Sequence, residues 1–506
     1  MLQSTNKSPI MLYVHLAIGV FFMFVFGRVF APVYPMTEVG MQVVGVFIGV
    51  IWFWCFVGFL WPSLLALVAF GLTDFGTFGQ ILTMSFGNSV PVLLLFSMIL
   101  FGSPQHVGAT RYITRFFLTR KVFNNRPIMF AFVFIFATYA LSVFVNVTPA
   151  LILMWTVLYG ILNELGYKKG EKFTSLMLVG TFLGAVSGQA SLPFSGSTLA
   201  IIGVFETAVY QQTSVEMAMP VLPYMTLGFI FSVLVFIAYA LFMKLILKKE
   251  ELQKVAHVNT EMFERDPLPP MSRLQKANFY GMLAFVFLMI LPSILNIFGS
   301  FMPEEFILVR AFATVVGLLD RLGAAGVAIF LTGLMCLIHI EKKPVLDFKA
   351  VAASSVNWDI FVMVAVAVAI ASALTNPQTG VVAMMVEYLQ PILGGHTPIV
   401  FFVIMVLFAI FVTSFASAMV IGIAIMPVLV AFGLETGANL PAVAATTILL
   451  LHYSIILPSA SVFAAMLWSN DEWITGKEVF KYGAFIVIAA TVVAIGAVMP
   501  ISMLLF

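Results

Sequence analysis

The sequence predicts an all-α polytopic membrane protein of about 11 transmembrane helices, built as two inverted repeats with re-entrant hairpins and broken helices. Three observations predict this. The chain is 62% hydrophobic and only 9% charged over 506 residues, with a mean hydropathy of +1.10, whereas soluble domains carry roughly 25% charged residues. Its apolar runs match bilayer spans of about 20 residues, and there are enough for roughly ten or more. Several runs are too short, or are interrupted by Gly, Pro and Ser, at corresponding places in two halves, which is the sequence mark of an inverted repeat.

The elements follow in order. The run 11–31 comes after a lysine and no small-residue cleavage site ends it, so it predicts a retained first helix. Runs at 41–60 and 62–73 follow, the second too short to span alone, and then 89–105. The segment RYITRFFLTRKVFNNR carries Arg111, Arg115, Arg120, Lys121 and Arg126 with no acid, and predicts an interfacial anchor. Runs 127–145 and 149–163 flank the polar break in LSVFVNVTPA. The long run 173–210 is interrupted by SGQASLPFSGSTLA (187–200), and 219–247 closes the first half. A polar stretch of both signs, 244–276, is the natural midpoint. Beyond it lie runs 278–300, 323–340, 358–375 and the short 382–392. Runs 398–416 and 419–433 enclose TSFASAMV, 441–468 is interrupted by HYSIILPSASVFAA (452–465), and 482–505 ends the chain. The halves share the order of these four breaks more than residue identity.

Charge sets the expected orientation. Basic residues gather at 111–126, 166–172, 244–276 and 341–349, while 31–40 and the region Glu206 to Glu216 hold acids without Lys or Arg. The positive-inside rule then places the basic segments in the cytoplasm, in a multi-pass protein of the cell membrane.

Other function classes find little support. Cys55 and Cys336 lie inside apolar runs and predict buried small hydrophobes, not a disulfide. The six histidines are scattered, with no metal-ligand spacing to a carboxylate; His452, beside the last break, is either a packed polar side chain or a proton carrier. Asp320 with Arg321, and Asp359, fall near predicted span ends. Neither a Walker loop nor a nucleotide fingerprint occurs, so the sequence predicts no enzyme, no ATP drive, no cofactor and no nucleic-acid partner.

Backbone that leaves helical geometry at membrane depth must be enclosed by protein or line a wet cavity. Each break creates half-helix ends, whose N–H groups suit anions and whose carbonyls suit cations. Here the breaks hold Ser142, Asn146 and Thr148, then Thr413, Ser414 and Ser417; the second pair holds Ser187, Gln189, Ser191, Ser195, Gly196 and Ser197, then Ser454, Ser459 and Ser461. This is a site of neutral oxygens and backbone, with almost no ionisable group. A single serine could equally bond its own backbone or tighten helix packing. The four breaks as a set point to a site for a small anion.

From about residue 38 to 505 the chain resembles the divalent anion/sodium symporters, the di- and tricarboxylate carriers of the ion-transporter superfamily. The stretches that carry the resemblance are GMQVVGVFIGVIWFWCFVGFLWPSLLALVAFGL, SFGNSVPVLLLF, the two tips, and LLLHYSIILPSASVFAAMLWSNDEWITGKEVFKYG. The resemblance implies a homodimer of elevator type, with one hairpin (about 127–163) open to the cytoplasm and one (about 382–433) open to the outside. It divides the chain into scaffold helices and interfacial arm (1–126), hairpin and broken helices of the first transport half (127–247), cytoplasmic linker (248–277), second scaffold set (278–380) and second transport half (381–506).

The family's tips carry Ser-Asn-Thr. Setting Phe144 against Phe415 aligns Asn146-Val147-Thr148 with Ser417-Ala418-Met419, so the first serine is Asn146 in one half, and the middle asparagine is Val147 and Ala418. Pro193 and Pro458 match the prolines before the second loops. The resemblance thus implies substrate contacts at Asn146, Val147, Thr148, Ser197, Ser417, Ala418, Met419 and Ser461. It implies sodium contacts at Ser142, Asn146, Ser195, Thr413, Ser417 and Ala460. Valine and alanine cannot replace the donor and acceptor of an amide, so cargo and coupling stay open: sodium-coupled di- or tricarboxylates, proton-coupled or exchange transport of sulfate or gluconate-like anions, or a sensor that keeps the fold.

Overall fold

The computed structural model describes residues 9–119, 125–255, 268–300 and 307–506. Twelve of the described helices are long and apolar enough to cross a membrane, against about eleven expected. The strands among the described residues, His339–Ile340 and Lys343–Pro344, form one small antiparallel pair. Arg120, Lys121 and His257 lie outside the described residues.

Several predicted runs resolve into paired helices. The run 173–210 becomes Lys172–Ala190 and Gly196–Thr213, and 441–468 becomes Leu440–Leu451 and Val462–Trp468. The first hairpin has arms Pro127–Phe144 and Val147–Glu164. The second has arms Pro398–Thr413 and Ala418–Thr436, with Val381–Leu393 a separate helix before it. The run expected at 323–340 is the later part of a helix spanning Ile307–Leu337, kinked where Gly323 takes φ +61°. That conformation is open to glycine and strained for other residues.

The centre of the first half is the helix Lys172–Ala190, in which every residue from Phe173 to Ala190 is buried. Lipid offers no hydrophobic drive between helices, so such a helix is held by close packing of small residues. Gly180, Gly184 and Gly188 recur at every fourth position and face the Pro127–Phe144 arm. A Cβ on Gly184 would stand 2.4 Å from the Ile135 carbonyl oxygen, and one on Gly188 2.5 Å from that of Tyr139. The helix also accepts hydrogen bonds from Val221–Ile246: Tyr239 Oη donates to Leu176 O at 2.8 Å and Tyr224 Oη to Ala190 O at 2.9 Å. A second fully buried stretch, Val362–Thr375, belongs to the helix Trp358–Thr375. Large apolar side chains such as Leu245, Phe330, Leu337, Phe411, Ile488 and Leu504 stay exposed on the outer helices, as a lipid-facing surface requires.

Basic segments meet at the ends of these helices. Around the base of the first hairpin, Lys254 pairs with Glu171 at 2.9 Å and Lys172 with Glu251 at 3.5 Å. Tyr167 Oη donates to Glu251 O, and burial with the nearby Glu171 and Glu251 carboxylates pushes its phenol up. Lys169 reaches Asp471 O, and Ser175 Oγ donates to Glu478 Oε1 at 2.9 Å. In a second group Tyr112 Oη donates to Pro269 O at 2.8 Å and Gln275 Nε2 to Val107 O at 2.9 Å. The amphipathic helix Arg111–Leu118 is thereby docked beside the start of Arg273–Ser300.

Candidate functional site

At the first tip the chain leaves helical geometry at Val145, which is extended (φ −136°, ψ 146°), and Asn146 caps the new helix. Pro149 stands in the first turn, where its missing N–H removes no intrahelical bond. Asn146 Oδ1 accepts the Thr148 N–H at 3.4 Å. Asn146 is exposed, Thr148 half-buried and Val147 buried, so Val147 can offer an incoming ligand only its backbone. Ser142 lies one turn back and donates to Ala185 O at 2.7 Å.

At the next break Ser195 caps Gly196–Thr213. Its Oγ is 2.7 Å from Gln189 O and 2.9 Å from Thr198 Oγ1. His452, in the other half of the chain, brings Nε2 within 3.1 Å of Ser197 Oγ and 3.2 Å of Thr198 Oγ1. Its Nδ1 lies 2.9 Å from Ile448 O.

At the second tip Thr413 Oγ1 donates to Ala409 O at 2.8 Å and Ser414 Oγ to Ile410 O at 2.8 Å. Ser417 then caps Ala418–Thr436 with its backbone geometry alone. Ser417 and Ala418 are half-buried and Met419 is buried. At the last break Ala460 is buried, and Ser461 caps Val462–Trp468 by accepting the Ala464 N–H at 3.0 Å. Ser459 Oγ donates across to Phe415 O at 3.0 Å, tying this break to the second tip.

These contacts gather the breaks from distant sequence. Helix Ala418–Thr436 lies against both Gly196–Thr213 and Leu440–Leu451: a Cβ on Gly422 would stand 2.5 Å from Ile201 Cδ1 and 3.1 Å from Leu451 Cδ1. Ser197, Thr198 and His452 form one polar knot, and Phe415 with Ser459 another. The Asn146 tip joins through Ser142 and the buried helix behind it.

A family model described as citrate transporter matches residues 46–451, which takes in both hairpins and the first broken helix. The chain belongs to the citrate transporter family. It is accordingly a multi-pass membrane transporter of small anions, in keeping with the resemblance to ion-transporter carriers noted from its sequence. The family match ends one residue short of His452, so the last break lies beyond it. In structure the chain is similar to the Alcanivorax borkumensis YdaH transporter, with a TM-score of 0.52 over 83% of this chain and 87% of that one. The two are 12% identical, so the likeness concerns the fold. No curated protein matches the chain by sequence.

The chemistry at the breaks is a set of helix N-termini edged by neutral oxygens. Val147, Ala418 and Met419 offer backbone donors; Asn146, Thr148, Ser197, Ser417 and Ser461 add side-chain atoms. Polar composition at the breaks exposes Asn146, Thr148, Ser197, Ser417 and Ser461 to sequence reasoning, whereas Val147, Ala418 and Met419 come only from the family resemblance. The knot between His452 and Thr198 has no such signal, because a contact across 254 residues leaves no mark on local spacing.

Proposed function

We propose that the protein is a secondary active transporter of di- and tricarboxylates, citrate foremost, in the cytoplasmic membrane. The observation that carries this is the union of a family match over residues 46–451 with two capped half-helix starts, at Asn146 and Ser417, inside that match. Three carboxylates suit several N-terminal helix ends, each contributing free N–H groups and partial positive charge without a buried lysine or arginine. Substrate contacts are assigned to Asn146, Val147, Thr148, Ser197, Ser417, Ala418, Met419 and Ser461. Sodium is the candidate co-substrate, with neutral oxygens from Ser142, Asn146, Ser195, Thr413 and Ser417 and the carbonyl of Ala460.

The matched order of breaks supports an inverted repeat, and with it an elevator motion of residues 127–247 and 381–506 against the remaining helices of a homodimer. Counterflow of labelled citrate in proteoliposomes tests the proposal. Exchange of citrate is expected, and absence of flux for citrate and smaller dicarboxylates would sink it. Replacing sodium by choline tests the coupling: uptake that persists unchanged removes sodium from the scheme.

A further inference from the structure

The hydrogen bonds of His452 fix which way the neighbouring hydroxyls point. Nδ1 lies 2.9 Å from Ile448 O, an oxygen that can only accept, so Nδ1 carries the proton. In the uncharged ring Nε2 is then a lone pair. Two hydroxyls approach it, Ser197 at 3.1 Å and Thr198 at 3.2 Å. Thr198 has a second acceptor in reach, Gln189 O at 3.3 Å; for Ser197 the imidazole is the acceptor in reach among the described residues. The Ser197 proton is therefore committed to the ring, and its half-exposed oxygen is left as an acceptor. The Ser195 proton is likewise engaged, on Gln189 O at 2.7 Å. Gln189 is only 8% exposed, and its Oε1 has no hydrogen-bond partner among the described residues.

Beside these acceptors stand donors. The N–H groups of Gly196, Ser197 and Thr198 precede the first intrahelical bond, from Leu199 N to Ser195 O at 2.8 Å, and such first-turn groups receive anions. A carboxylate needs the donors; an O–H needs the acceptors. A 2-hydroxycarboxylate presents both from one carbon. We propose that this break selects a hydroxycarboxylate, with its carboxylate on the helix N-terminus and its hydroxyl donating to Ser197 Oγ. His452 is the positioning residue that keeps Ser197 an acceptor. This rests on the tricarboxylate reading above and adds the group by which cargo is told apart.

The test compares binding of citrate and propane-1,2,3-tricarboxylate, which lacks only the hydroxyl, to the purified full chain by calorimetry. The wild type should prefer citrate roughly tenfold, the scale of one hydrogen bond. Ser197→Ala and His452→Leu should abolish the preference. His452→Gln, whose amide oxygen reaches the region of Nε2, should retain it. A packing role for His452 would instead weaken both anions alike in His452→Leu, and melting temperatures identify a variant that fails to fold, in which case Ser197→Ala and His452→Gln decide. Equal wild-type affinities, or a preference that survives Ser197→Ala, overturn the proposal while leaving the transport reading intact. A preference seen only with sodium present assigns these oxygens to the cation and also overturns it. Binding of neither anion removes the tricarboxylate reading and the proposal together.

Discussion

The hydroxyl of Ser142 donates to the carbonyl of Ala185 at 2.7 Å, at a point where two helices are pressed together through glycine. One turn further on, a Cβ on Gly188 would stand 2.9 Å from the Cβ of Ser142 itself. The first tip therefore takes its position from the buried helix Lys172–Ala190. Ser142→Ala should lower stability by about 1 kcal/mol, the net value of one hydrogen bond. Gly188→Val places side-chain atoms against backbone and should cost more, about 1–3 kcal/mol or beyond. Thermal unfolding of the detergent-purified protein checks both; a Gly188→Val melting temperature equal to wild type contradicts the packing argument.

Thr148 and Ser417 both stand at the tips, half-buried and at helix starts, Thr148 two residues beyond Asn146, the position aligned with Ser417. Thr148→Ala and Ser417→Ala should each reduce transport more than surface expression. The expected rise in KM is several-fold, consistent with about 1 kcal/mol per hydrogen bond. Uptake kinetics normalised to protein at the membrane give the answer, and wild-type rates in both variants would remove these residues from the site.

Ser459 reaches the Phe415 carbonyl at 3.0 Å from an exposed position. An exposed bond of this kind adds little to global stability, yet it links the last break to the second tip. Ser459→Ala should leave the melting temperature nearly unchanged while raising the reactivity of a reporter cysteine introduced at Phe415. Unchanged labelling would show that the tip is held without this bond.

The Lys254–Glu171 pair at the base of the first hairpin is a surface pair, with side chains 42% and 33% exposed. A double-mutant cycle with Lys254→Met and Glu171→Gln should return a coupling of about 0.2–1 kcal/mol, falling as salt is raised. A coupling that ignores salt would mean the pair is far more enclosed than its exposure indicates.

The positions of the breaks were legible because lipid forbids unsatisfied backbone, so Asn146, Pro149, Pro193, Ser195 and Pro458 stand out from apolar surroundings. Helix ends were legible to within a few residues for the same reason. The long helix Ile307–Leu337 was not, since Asp320 and Arg321 read as the end of a span when they lie before a glycine kink inside it. The burial of Val147 was also hidden: the family resemblance sets it at the tip, and its side chain packs inward, which leaves its backbone as what it can present. Partnerships such as Ser459 with Phe415 depend on how helices cross, which no local pattern encodes.

The burial of Lys172–Ala190 has a consequence for the membrane around the protein. A span that meets no acyl chain is insulated from bilayer thickness, so thinning or thickening the membrane acts first on outer helices such as Arg273–Ser300 and Ile307–Leu337. The geometry from Gln189 to Thr198 is set inside a jacket of protein. Reconstitution into short-chain or long-chain lipids should accordingly alter how fast the molecule moves and leave how tightly it holds its anion nearly the same.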